Sequence, residues 1–338
     1  MRKMKKSYLY IVYLLVAVGA MQFYASCSES KGDTLPETQQ GVAKTDSIVT
    51  VDTTKMPSGK YGDAVRYGRQ LLLHTAYYIG PDGVNGHYTK NKMNCSNCHQ
   101  DAGTKPYSLN LVMAFRNYPS YRAREGKVLT LAERINNCIM HPHLGTPLPL
   151  DSREMVSIMS YLKWLNDSTS VSQSTKGLKN VNIDLPEVAA SSANGAKLYV
   201  ADCARCHGDN GQGKMALDNV AYQYPPLWGM KAYQPGSSMH RIVKLAQWLV
   251  SNMPYDKATH DQPYLTSAQA LDLAAFINDD KIHQRPPVKE FQYPNPEEKA
   301  YDYDRGPFKD SFSEQQHKYG PYKPIVDYWK DKGKDPGF

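Results

Sequence analysis

The sequence predicts a mainly α chain in which two similar domains follow one another. The pentapeptide Cys-x-x-Cys-His occurs twice, at Cys95–His99 and at Cys203–His207. Each copy is preceded by apolar residues at helical spacing and followed by a capped terminal helix, so the surroundings repeat along with the motif. The strand-rich runs of a βαβ unit are missing.

In the first copy, Asp63 to Tyr78 carries Val65, Leu71, Leu72 and Ala76 at helical spacing. Thr130-Leu131-Ala132-Glu133 is a capping box, and the helix it opens carries Arg134 and Cys138. Asp151-Ser152-Arg153-Glu154 opens a terminal helix to Asn166, with Met155, Ile158, Met159, Leu162 and Leu165 on one face. In the second copy, Asn194 to Val200 is a shorter lead-in. His240 to Val250 is amphipathic, and Pro254 in Asn252-Met253-Pro254 stops it. Thr266-Ser267-Ala268-Gln269 opens the second terminal helix, which carries Leu271, Leu273, Ala274, Phe276 and Ile277.

An amino-terminal helix leading to Cys-x-x-Cys-His, crossed by a carboxy-terminal helix, resembles the cytochrome c fold. The expected domains are 60–168 and 188–283, with a polar linker at 169–187. The tail, 284–338, is rich in Pro, Tyr, Lys and Asp and has no long apolar period. Its aromatic density predicts an irregular wrap over the two domains.

The motif carries a specific chemistry. Two thiols add across the vinyl groups of a haem as thioethers, and the adjacent histidine is held under the iron. The expectation is two covalently bound haem c groups. Cys95 and Cys98 attach the first with His99 as proximal ligand; Cys203 and Cys206 attach the second with His207. A thioredoxin-like dithiol has no use for an adjoining histidine in both copies. A zinc site made of the four thiols would leave both histidines idle.

The amino end reads as an export signal. Arg2, Lys3, Lys5 and Lys6 form a positive region before the apolar run Tyr8 to Met21, which is short for a membrane span. Small residues then precede Cys27, as at a lipoprotein cleavage site, although Tyr24 stands where Leu is usual. The leader is therefore 1–27, with Cys27 lipidated and anchoring the protein to a membrane outside the cytoplasm, on its periplasmic or cell-surface face. Residues 28–59 are polar, rich in Ser and Thr, and read as a flexible tether. The formal charge is +7, and the leader's four cations account for most of it. No basic run points to nucleic acid.

Each iron needs a sixth ligand or a vacancy. For the second haem the candidates are Met215, Met230, Met239 and Met253. Met215 follows His207 too closely to cross the ring. Met253 sits where proline pins an extended loop after a helix, so it is favoured, with Met239 next. For the first haem Met113 and Met140 are available. Cys138 is the sharper choice, because of six cysteines it alone has no other assignment, and a thiolate is a strong donor. His141 and His143 are its rivals.

Further segments carry a family resemblance. Asn94 to His99, Ala102-Gly103-Thr104-Lys105, Tyr118 to Arg124 and Glu133 to Cys138 are similar to the dihaem thiosulfate dehydrogenases, whose first domain is shared with the SoxA cytochromes. Pro225-Pro226-Leu227-Trp228-Gly229, Asn252-Met253-Pro254 and Gln316 to Pro321 resemble the second half of that family. The resemblance implies a protein that couples two thiosulfates into tetrathionate with release of two electrons, or runs the reverse. It implies His/Cys ligation at the first haem and His/Met at the second, which exchanges electrons with a redox partner, a small cytochrome or a quinone-linked membrane complex. It implies Cys138 as distal ligand and reacting sulfur, with Arg124 and Arg134 as substrate residues. Physics favours the same arginines: two dianions must approach each other, and fixed guanidinium forks offset their repulsion. In one place the chain departs from the pattern. The family carries Arg-Ser three and four residues past the cysteine; here these are His141 and Pro142, although Gly145 is in place. The alternative function is therefore an electron-transfer cytochrome with no sulfur chemistry.

Overall fold

The computed structural model describes residues 47–169, 174–288 and 292–334. The leader, Cys27 and residues 28–46 of the tether lie outside the described residues. No described helix is long and apolar enough to cross a membrane.

The first haem domain is framed by α1 (Gly59–Leu73) and α4 (Arg153–Asp167), which pack against each other. Their inward faces bury Val65, Leu71, Met155, Ile158, Tyr161, Leu162 and Leu165 in one cluster. Gly68 permits the crossing, since a Cβ there would lie 2.0 Å from the carbonyl oxygen of Ser157. The helix expected over Asp63–Tyr78 is broken at His74, whose ψ of 43° is not helical. The chain resumes as α2 (Thr75–Ile79). Between the framing helices lies α3 (Leu131–Met140), whose capping box is formed in both directions by Thr130 and Glu133.

The second domain repeats the frame with α5 (Ser192–Leu198) and α7 (Ser267–Ile277). Gly195 plays the part of Gly68: a Cβ there would lie 2.0 Å from the carbonyl oxygen of Asp272. Thr266 and Gln269 form the expected capping box of α7. Between them runs α6 (Ile242–Asn252), buried along most of its length. It starts two residues later than the sequence suggests, because Arg241 is its cap and His240 belongs to a separate 3-10 turn.

Two antiparallel hairpins escaped the helical pattern. The first pairs β1 (Ser120–Arg122) with β2 (Lys127–Leu129), and the second pairs β3 (Lys214–Met215) with β4 (Tyr222–Tyr224). The turn of the first carries Arg124 and Glu125 and ends in Gly126, at φ 64°.

Three stretches pack more closely than their composition implies. Residues 47–58, read as tether, lie against the first domain, with Val49 only 5% exposed beside Val112 and Leu178. Part of the polar linker is pinned: Leu109 N donates to Asn180 Oδ1 at 3.0 Å. The tail, expected to be irregular, forms α8 (Glu314–Tyr319) and α9 (Lys323–Asp331). Its Tyr301, Tyr322, Ile325, Val326 and Trp329 are buried in the second domain's own core. The tail is thus a structural part of that domain.

Candidate active site

Each motif histidine is fixed through its Nδ1. That of His99 faces the Leu109 carbonyl oxygen at 2.6 Å, and that of His207 faces the Pro225 carbonyl oxygen at 2.8 Å. A carbonyl can only accept, so the proton sits on Nδ1 and the Nε2 lone pair is left for a metal. Burial also lowers the pKa of both imidazoles, which keeps them neutral. Burial pushes the Cys95 thiol up to about 11 and the Cys98 and Cys203 thiols up to about 12. Such thiols do not suit a low-pKa redox dithiol. The donor sets fit haem attachment at Cys95, Cys98 and His99 and at Cys203, Cys206 and His207.

An open cavity of about 120 Å³ adjoins the first motif. Cys95, Cys98 and His99 form one wall, and Cys138 on α3 lines it as well. His141 and His143 also reach this cavity, so the rivals of Cys138 are its neighbours. His143 is buried, its pKa is lowered to about 4 chiefly by that burial, and its Nε2 lies 3.6 Å from Cys95 Sγ. The Nδ1 of His141 is engaged by Gln234 Nε2 at 3.0 Å. Met113 lies instead in the small cluster beside Val49, and Met140 is not among the lining residues.

Arg124 and Arg134 both line the cavity, one from a hairpin turn and the other from α3. The Cys138 sulfur, first among several contributors, raises the Arg134 pKa. Burial, and then the charge of Arg134, lowers that of Arg124. The two guanidiniums therefore feel each other. Glu125 offsets part of that repulsion: its Oε1 accepts from Arg124 Nε at 3.2 Å and from Asn137 Nδ2 at 3.0 Å. Two half-buried cations with one carboxylate make a net positive lining beside a thiol, an arrangement that attracts an anion.

No motif or spacing pointed to the second domain as part of this cavity. Tyr233, Gly236, Ser237, Ser238 and Met239 all line it. Met239, the second choice as ligand for the second haem, therefore belongs beside the first. Among the other candidates for the second haem, Met230 is 57% exposed. Met253 has extended backbone at the C-cap of α6 and packs against the second domain's core.

A fold with two such domains, each presenting Cys-x-x-Cys-His with a carbonyl-fixed histidine, defines a dihaem c-type cytochrome. Comparisons with known proteins agree. Residues 85–171 match the family described as SoxA/TsdA, cytochrome c domain, and residues 192–281 match cytochrome c. Thiosulfate dehydrogenase of Stutzerimonas stutzeri strain A1501 is 34% identical over 68% of this chain and 70% of its own. That of Thiomonas intermedia strain K12 is 32% identical over 68% of this chain and 70% of its own. Among solved structures, the "as isolated" form of thiosulfate dehydrogenase (TsdBA) from Marichromatium purpuratum superposes with a TM-score of 0.65 at 28% identity. That match covers 78% of this chain and 55% of the other, so the present chain spans little more than half of it. The chain belongs to the thiosulfate dehydrogenase family, and carries two covalently bound haem c groups.

Proposed function

We propose that the protein interconverts thiosulfate and tetrathionate in the cavity of the first domain, exchanging electrons with a redox partner through the second. One observation carries this reading: Arg124 and Arg134 face the same cavity as Cys138 and His99. Haem c supplies a one-electron couple at each motif. Everything else falls to side chains. Two thiosulfates lose one electron each as a sulfur–sulfur bond forms, and no proton is exchanged. The obstacle is electrostatic, because two dianions must meet. Arg124 and Arg134 bind and orient sulfonate oxygens with charge-assisted hydrogen bonds while burial limits screening. With haem bound, Cys138 would be a ligand of the first iron and the sulfur that meets the substrate, and Met253 would be a ligand of the second.

The protein would be exported and held by lipid on Cys27 at the outer side of a membrane. A second reading, electron relay without sulfur chemistry, is favoured by Pro142, which lines the cavity where the family carries serine and has no donor to offer. A steady-state assay in both directions separates them. Thiosulfate-dependent reduction or tetrathionate-dependent oxidation of the holoprotein supports the enzyme. Neither activity, with electron exchange to a small cytochrome intact, establishes the relay.

A further inference from the structure

Resting on the sulfur-oxyanion reading above, the geometry points to Ser238 as the hydroxyl that binds the sulfonate group in the first cavity, a specificity-determining residue supplied by the second domain. The first domain's share of the lining has cations but no hydroxyl. Its residues there are apolar, thiol, amide, imidazole or guanidinium. Three hydroxyls enter from the second domain. Tyr233 donates to Asn278 Oδ1 at 2.9 Å, and Ser237 accepts from Met239 N at 3.3 Å, deep within its turn. Ser238 is half-buried. Its Oγ accepts from Arg124 Nη1 at 3.3 Å, and among the described hydrogen bonds its O–H donates to no group. A hydroxyl that accepts from a guanidinium is polarised to donate, and an oxyanion held by Arg124 lies within its reach.

The segment that carries Ser238 is clamped to the first domain at Met140, His141 and Arg124. Gln234 Nε2 donates to Met140 O at 2.8 Å, and Gln234 N donates to His141 O at 3.3 Å. Arg124 Nη1 also donates to Gly236 O at 3.1 Å. A Cβ at position 236 would lie 2.9 Å from His141 Nδ1 and 2.8 Å from Val288 Cγ2, so glycine is what lets the loop press onto His141. His141 seats the loop, and the loop returns a hydroxyl to the cavity from the opposite wall.

The test is calorimetric titration of thiosulfate into the fully reduced holoprotein, which has no vacancy for the ligand's electrons. Ser238→Ala is expected to weaken binding about tenfold, equivalent to about 1.4 kcal/mol. Ser238→Thr, which keeps the hydroxyl, is expected to stay within about threefold of wild type, and the Ser238→Ala loss should persist in an Arg124→Gln background. Ser238→Ala binding within about twofold of wild type overturns the proposal while leaving the oxyanion reading intact. A loss that disappears in the Arg124→Gln background also overturns it, since the hydroxyl would then act only through the arginine. Wild-type protein that neither binds nor turns over a sulfur oxyanion overturns both.

Discussion

Trp248 Nε1 donates to the backbone carbonyl of Cys98 at 3.1 Å, so a core side chain of the second domain holds the turn that attaches the first haem. Asn252, one turn further along α6, donates through Nδ2 to Tyr107 O at 3.0 Å. Met239 lies just before this helix and lines the first cavity; Met253 follows it. This helix, about 16 Å long by its rise per residue, belongs to the second domain's core and bonds to the first motif, a contact that independent domains on a flexible linker could not make.

Trp248→Phe keeps most of the ring packing but leaves the Cys98 carbonyl unpaired. The expected cost is about 1–2 kcal/mol. It should appear as a fall of several degrees in the melting temperature, with covalent haem content unchanged. No change in melting temperature would mean that the bond adds nothing to the domain contact.

Mature protein should retain two haems after denaturation, because thioethers do not dissociate. Cys98→Ala or Cys206→Ala should lower the covalent load at the affected site only. A mass spectrum with no haem adduct on wild-type protein would contradict the assignment of both motifs.

Cys138→Ala should remove the low-spin ferric signature of thiolate ligation at one haem and leave the other haem reducible. Sulfur-compound turnover should be lost with it. If the ferric signature survives, His141 or His143, which share the cavity, is the distal ligand instead.

Arg134→Ala removes a half-buried guanidinium from the proposed anion site. The loss of a charge-assisted bond is expected to cost about 1.5–3 kcal/mol, or roughly 10- to 150-fold in kcat/KM for thiosulfate. A variant that kept wild-type kcat/KM would show that Arg134 serves the fold or the haem rather than the substrate.

Acid should loosen the tail. Lys318 Nζ bridges Asp280 at 2.8 Å and Asp304 at 2.6 Å, and His240 Nε2 meets Asp280 at 3.0 Å. Burial alone would raise the Asp280 pKa; His240 and Lys318 outweigh it and hold the carboxyl well below its ordinary value. A depressed carboxylate stabilises the fold above its unfolded pKa of about 4, and that contribution disappears as pH falls below it. Hydrogen exchange in α8 should therefore accelerate between about pH 4 and lower values, and Lys318→Met should produce the same acceleration at pH 7. Equal protection of α8 in wild type and Lys318→Met at neutral pH would exclude this lock.

Much of the fold was legible in the sequence. The capping boxes at Thr130 and Thr266 are local hydrogen-bond patterns, so residues three apart suffice to announce them. Gly68 and Gly195 were not singled out, although each is where two helices touch; a lone glycine in a helical run carries no mark of its neighbour. The tail misled for a related reason. Its apolar residues are scattered among Pro, Lys and Asp, and they become a core only against α6 and α7, which supply the rest of the cluster.

By itself the sequence determined the chemistry that depends on covalent neighbours: two thiols and a histidine in fixed spacing, twice, and hence two haem c domains. It also placed Arg134 one helical turn from Cys138, since that relation is set by helix geometry alone. Only the tertiary structure decided what stands opposite them. Arg124 reaches the cavity from a hairpin turn, Met239 lines the first site, and Gly236 and Ser238 line it from the other domain, on a loop that Gln234 ties to Met140. Those contacts join residues more than ninety positions apart, and they depend on how α6 lies across the first motif. No periodicity or motif encodes such a placement, because it is the sum of many weak packing terms rather than a local pattern.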